Sequence, residues 1–163
     1  MALLIENAQI FDGSGAALYP GEVLIENERF SAIANHAGAI DRGRASEVLD
    51  ANGAVLMPGL VEAHAHLTWP SSVEHVVNGM SLPIEDHLLT TAQNARILLD
   101  HGFTSAYSAG SLGERFEVAL RNAIDRGGLP GPRLRACALE KGAEGVMGVP
   151  AGHDPTHRRS ISG

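Results

Sequence analysis

At Pro58-Gly59 the pattern of the chain changes, and the residues beyond it fit few architectures. Residues 60–67 form a strand-length run. From Ile84 the apolar positions Leu88, Leu89, Ala92, Ala95, Leu98 and Leu99 fall at helical spacing, with Pro83 suited to the first turn and Gly102 to the residue after the end. Residues 103–108 read as strand again. Phe116, Ala119, Leu120, Ala123 and Ile124 then mark one helix face, stopped by Gly127-Gly128. After Pro130-Gly131-Pro132, residues 133–139 make a third strand. Strand, helix, strand, helix, strand at this spacing predicts βαβ units and a parallel sheet.

Residues 1–57 read differently. Residues 2–11 predict a strand closed by Asp12-Gly13-Ser14-Gly15, residues that favour a turn. The apolar runs at 22–25 and 30–34, around the polar break Glu26-Asn27-Glu28-Arg29, predict a hairpin. Val48-Leu49-Asp50 and Val55-Leu56-Met57 suggest a further strand pair. The expectation is two regions: a small, mainly antiparallel β unit over 1–57 and an α/β region over 58–163.

Charge and composition remove several classes of function. Twelve basic against 19 acidic residues leave a net charge of −7, a poor basis for holding nucleic-acid phosphates. No apolar run approaches the roughly 18–20 residues that span a bilayer, so no membrane partner is expected. The N-terminal residues meet Glu6 without a basic stretch, which argues against a secretory leader, and a single cysteine, Cys137, favours a reducing compartment. A cytoplasmic protein acting on a small molecule is the expectation.

Eight histidines against one lysine is a lopsided use of ionisable groups, and two of them carry the strongest chemical pattern. His64 and His66 stand at i and i+2 of a short strand, so their side chains point the same way. Two imidazoles so placed can converge on one metal ion; two solvated histidines on a surface strand would look the same. In a parallel sheet the pair falls toward the C-terminal end of the first strand, where α/β folds place their sites.

The stretch Met57-Pro58-Gly59-Leu60-Val61-Glu62-Ala63-His64-Ala65-His66-Leu67 resembles the signature of the amidohydrolase superfamily, and most closely its imidazolonepropionase and Xaa-Pro dipeptidase branch. Asp12-Gly13-Ser14-Gly15 and Asp50-x-x-Gly53 resemble that family's small β-sandwich. Gly102-Phe103-Thr104-Ser105 resembles its second barrel strand. Leu120-Arg121-Asn122-Ala123-Ile124 with Gly131-Pro132-Arg133-Leu134 resembles its second helix and third strand. The resemblance implies a partial β-sandwich over 1–57, and over 58–163 the first βα units of a (β/α)8 TIM-like barrel. It implies a divalent metal, usually zinc, held by His64 and His66, and hydrolysis of a C–N bond (amide, cyclic amide or urea-like) by a metal-activated water. Histidine ligation by itself suits zinc, iron, nickel and copper alike.

The family's remaining ligands come from later barrel strands: a carboxylated lysine or substitute from the fourth, histidines from the fifth and sixth, an aspartate from the eighth. A βαβ unit takes about 30 residues or more, so residues 58–163 have room for about three of eight units. Those groups have no counterpart here, and the catalytic residues stay unassigned. The expectation is an N-terminal portion of a metal-dependent hydrolase, catalytically incomplete as it stands. The alternative is a non-catalytic fragment or half-barrel that needs a complementary chain, oligomeric or self-associating through its open edges. A β-rich metal-binding module would instead lack helices near 84–101 and 114–126.

Other candidates are weaker. Trp69 lies just beyond the metal motif and either lines the substrate pocket or packs. His153, in Gly152-His153, resembles a substrate-pocket residue of the family. Lys141 and His157 read more simply as surface residues, as do His75, His87 and His101, and His36 has no evident partner. Cys137 reads as a small buried apolar residue. Tyr107-Ser108 replaces an Arg-Asp pair common among relatives.

Overall fold

A computed structural model of the chain describes residues 1–69, 83–113 and 115–138. Two compact units meet in sequence at Pro58: Met1–Pro58 and Gly59–Gly163.

The first unit is one sheet of five strands, β1 (Ala2–Ile10), β2 (Tyr19–Glu26), β3 (Arg29–Ala34), β4 (Glu47–Asp50) and β5 (Val55–Leu56), ordered β3-β2-β1-β4 with β5 also on β1. The hairpin β2–β3 forms, with a tighter connection than the four-residue polar break suggests. Only Asn27 and Glu28 lie between the strands, both at positive φ (51° and 62°), as two-residue hairpins with the favoured twist require.

The expected pairing of 48–50 with 55–57 does not occur. β4 and β5 both pair with β1, in parallel and one after the other along the same edge, so the sheet is mixed. The cause lies in β1, whose register slips between Ile5 and Ala8 where Asn7 has φ 56°. The Asp50 carboxylate accepts from the Asn7 side chain (2.9 Å) and from the Asn52 N–H (2.8 Å), while the Gly53 N–H donates to the Asn7 carbonyl (2.8 Å). The Asp50-x-x-Gly53 turn is thus fastened to the irregularity in β1 and does not fold back on itself.

Consecutive β1 residues face opposite ways, and both faces are covered. Leu4 packs with Leu24 and Ile40; Ile5, Ala8 and Ile10 pack with Val23. Buried Glu22 accepts from the N–H groups of Gly38 (2.6 Å) and Ile40 (3.1 Å), which seats Ile40 in the core without an unsatisfied charge.

The second unit carries the parallel sheet: β6 (Leu60–Ala65), α1 (Ile84–Asp100), β7 (Phe103–Ser108), α2 (Phe116–Asp125) and β8 (Arg133–Arg135), with strand order β6-β7-β8. Both helices form, which removes the β-rich module. Ala65, Ala95 and Ala106 let the helices approach the sheet closely, and Leu67, Leu120 and Leu134 complete the core. Among the described residues, β6 and β8 each pair with β7 alone, so each presents one open edge.

Two strands are shorter than expected. β6 ends at Ala65 and β8 at Arg135; residue 139 lies outside the described residues. The buried face of α1 is also rotated from its apolar stripe. His87, Thr91 and Ala95 are buried, whereas Leu88 and Leu89 are exposed. His87 is therefore not a surface residue: its ring meets Phe116 edge-on at 5.7 Å, and its carbonyl accepts from the Thr91 hydroxyl at 2.6 Å. Among the described residues no helix is long and apolar enough to cross a membrane.

Candidate metal centre

His64 is the penultimate residue of β6, and His66 stands just past its end. The register of β6 against β7 slips between Glu62 and Ala65, so an irregularity brackets His64; such bulges re-aim side chains next to sites. Glu62 stabilises this irregularity, its Oε1 accepting from the His64 N–H at 2.9 Å.

The two imidazoles lie edge to face with ring centroids 4.9 Å apart, and the Trp69 ring lies 4.8 Å from that of His66. These side chains line an open recess of about 310 Å³ together with Glu62, Asn94 and Leu98. Two imidazoles sharing a tetrahedral ion, with metal–nitrogen bonds of about 2.0–2.1 Å, have ring centroids about 5 Å apart. The observed spacing and the donor chemistry therefore fit two ligands of one ion. Among the described residues no group of three or more His, Cys, Asp or Glu is placed to hold a metal.

The structure brings Trp69 to the pair and buries its indole Nε1, which has no hydrogen-bond partner among the described residues. His153, Lys141, His75 and His157 lie outside the described residues. His101 caps α1, its Nδ1 2.8 Å from the Ile97 carbonyl, and His36 is exposed in the first unit. Cys137 is half-buried and donates its thiol to the Ser108 carbonyl at 2.8 Å, so it is a polar contact at the strand ends and not a purely apolar filler.

Two residues absent from the candidates read in the sequence hold the backbone that follows the histidines. Glu117, in the first turn of α2, is fully buried, and its two oxygens accept from the N–H groups of Leu67 (3.4 Å) and Cys137 (3.3 Å). Asn94, on α1, donates to the carbonyls of Leu67 and Trp69, both at 2.8 Å. The available signal was a polar residue inside a buried stripe: Glu117 shares one with Leu120 and Ile124 at i, i+3 and i+7.

Burial holds the Glu117 carboxyl above its ordinary value of 4.5; hydrogen bonds from Ser108, Cys137 and Leu67 and the nearby His66 offset part of that rise. An acid whose pKa is higher in the fold binds more protons when folded. Its contribution to stability therefore falls as pH climbs from the ordinary value through the raised one. Glu117→Gln should accordingly flatten the decline in melting temperature as pH rises above the ordinary carboxyl value, relative to the parent chain. Parallel pH profiles for the two proteins would contradict a raised Glu117.

A parallel α/β unit with paired histidines at the end of its first strand defines the class of protein, and comparison with known proteins narrows it. No family model matches the chain. Adenine deaminase of Listeria monocytogenes is 27% identical over 103 residues, covering 63% of this chain and 14% of that protein. 5'-Deoxyadenosine deaminase of Methanothermobacter thermautotrophicus is 37% identical over 67 residues, 41% of this chain and 14% of the relative. Escherichia coli allantoinase is 46% identical over 56 residues, 31% and 12% of the two chains. Among solved structures, a Xaa-Pro dipeptidase with methionine bound in its active site superposes with a TM-score of 0.72 at 22% identity, over 99% of this chain and 38% of its own. An amidohydrolase superposes at 0.67 with 25% identity, over 82% and 30%. The chain belongs to the amidohydrolase superfamily. Its matches span about one-seventh of the curated relatives.

Proposed function

We propose that the chain is the N-terminal portion of a metal-dependent hydrolase of a C–N bond, with His64 and His66 as two of the ligands of a divalent ion, zinc before others. In this reading residues 1–57 are part of a small β-sandwich and residues 58–163 the first three or so βα units of a (β/α)8 barrel, in a cytoplasmic enzyme. The observation that carries it is the pair of imidazoles at the spacing of two ligands of one ion, beside a recess at the end of the first parallel strand. When bound, such an ion supplies Lewis acidity, activating water and polarising a carbonyl at neutral pH.

The chain's own residues bind and orient. Glu62 holds the backbone of His64, and Trp69 packs against His66 and limits its rotation. The indole N–H of Trp69, buried and without an acceptor among the described residues, is the donor offered to a substrate carbonyl, which would offset the cost of burying it. His153 is the second pocket residue of this proposal. The substrate is a small amide, cyclic amide or urea-like molecule.

Zinc binding by the 163-residue chain is the direct test, measured by elemental analysis after dialysis and by the emission of Trp69, the chain's only tryptophan. Saturable zinc uptake that changes this emission is the expected result; no uptake would overturn the ligand assignment.

Among the described residues the outer edges of β6 and β8 are unpaired and Leu60 and Val61 are exposed on β6, which favours a second reading in which the chain by itself is a half-barrel that pairs with another chain. Size-exclusion chromatography with light scattering should then find dimers or larger species of the 163-residue chain. A monomer with one sharp unfolding transition would remove this reading, and hydrolase activity from the chain alone would remove the claim that it is incomplete.

A further inference from the structure

Past Ala65 the chain leaves the sheet, and the peptide groups of residues 66–69 lose the partners a strand would provide. Two helix-borne side chains hold three of these groups. Asn94 donates to the carbonyls of Leu67 and Trp69 at 2.8 Å each, and Glu117 accepts from the Leu67 N–H through one oxygen while the other reaches Cys137. Leu67 therefore has its N–H and its carbonyl both held by side chains, and it stands between His66 and Trp69, whose rings are in contact. Its own side chain is anchored in the core.

We propose that Asn94 and Glu117 are positioning residues of the half-site: by gripping the Leu67 peptide groups from two neighbouring helices, they set the direction in which His66 presents its imidazole and the contact it makes with Trp69. The inference rests on the metal-ligand reading of His66 but also has a consequence without metal. The Asn94 bonds are short and charge-neutral, whereas those of Glu117 are long at 3.3–3.4 Å. Asn94 is thus the stronger clamp. Outer groups that orient ligands typically change metal affinity by about 10–100-fold when replaced.

The test compares the parent chain with Asn94→Asp, Asn94→Ala and Glu117→Gln, and with Gln93→Ala as an exposed control on the same helix. Asn94→Asp keeps the shape but turns two donated bonds into repulsions. Glu117→Gln sets an amide N–H against one of two backbone donors. Cobalt(II) titration, read by its visible ligand-field bands, should show affinity weakened at least about 10-fold and an altered spectrum in Asn94→Asp, less in Asn94→Ala and Glu117→Gln, and no change in Gln93→Ala. In the metal-free proteins the His66 ring resonances, assigned with His66→Ala, should shift in the same order. Any variant whose circular dichroism melt is lost is set aside, and the remaining ones carry the comparison.

Unchanged cobalt spectra and unchanged His66 resonances in folded variants would overturn the proposal. Shifted resonances in a chain that binds no cobalt would retain the clamp and overturn the ligand reading, so the two failures are distinguishable.

Discussion

Replacing His64 and His66 together with alanine should lower zinc affinity by at least about 100-fold, with the melting temperature kept within a few degrees of the parent. Neither ring carries much of the fold. His64 is exposed, and its backbone, not its side chain, is what Glu62 holds. His66 is half-buried and its ring meets those of Trp69 and the exposed His64, so the double replacement removes two ring contacts, of which the one with Trp69 is worth about 1 kcal/mol. The donors are lost outright, because among the described residues no other His, Cys, Asp or Glu cluster is placed to bind an ion. Calorimetric titration with zinc, beside thermal melts of both proteins, reads the two effects separately. His66→Ala alone should also change Trp69 emission more than His64→Ala, since only the His66 ring is in contact with the indole. Stoichiometric zinc surviving in the double variant would sink the assignment.

Gly59→Ala should destabilise the second unit by about 2–4 kcal/mol. A Cβ at Gly59 would stand 2.0 Å from the Thr104 Oγ1, 2.3 Å from its Cγ2 and 2.6 Å from its Cβ. Rotating Thr104 moves the first two atoms away but not the third, which is fixed to the β7 backbone. The strands must therefore separate where they begin, beside the bond from the Leu60 N–H to the Gly102 carbonyl (2.9 Å). Chemical denaturation should show a lower midpoint for Gly59→Ala. Adding Thr104→Gly should recover part of the loss, because it removes the obstructing Cβ, although glycine in a strand carries its own cost. Equal midpoints for parent and Gly59→Ala would show that β6 and β7 approach less closely than this.

Much of the architecture was legible in the sequence because local rules decided it. Helical spacing located α1 and α2 to within a residue or two at the expected ends, since Gly102 and Gly127 both take positive φ just past them. The proximity of His64, His66 and Trp69 came from strand alternation and short separation along the chain. What was illegible depended on partners far apart in sequence. β4 joins β1 across more than forty residues because Asn7 and Asp50 meet, and neither residue signals that alone. Glu117 reads as an ordinary acidic residue favouring a helix N-terminus; only the fold puts the Leu67 and Cys137 N–H groups on it. His87 reads as a surface residue, and only the packing against Phe116 buries it.

The placement of β1 at the middle of its sheet has a consequence for how the chain acquires structure. β1 is synthesised before every strand it pairs with. β2 reaches it through a short local connection, but β4 and β5 join only after the chain has been made through Leu56. Until then one row of β1 amides and carbonyls lacks its sheet partners, and Ala2 waits for Ser46, 44 residues away, to receive its N–H. Contacts of such sequence separation slow folding and lengthen the interval in which a strand edge is exposed to other chains. During synthesis the first unit is therefore most vulnerable to mispairing along the edge of β1 that β4 and β5 later cover.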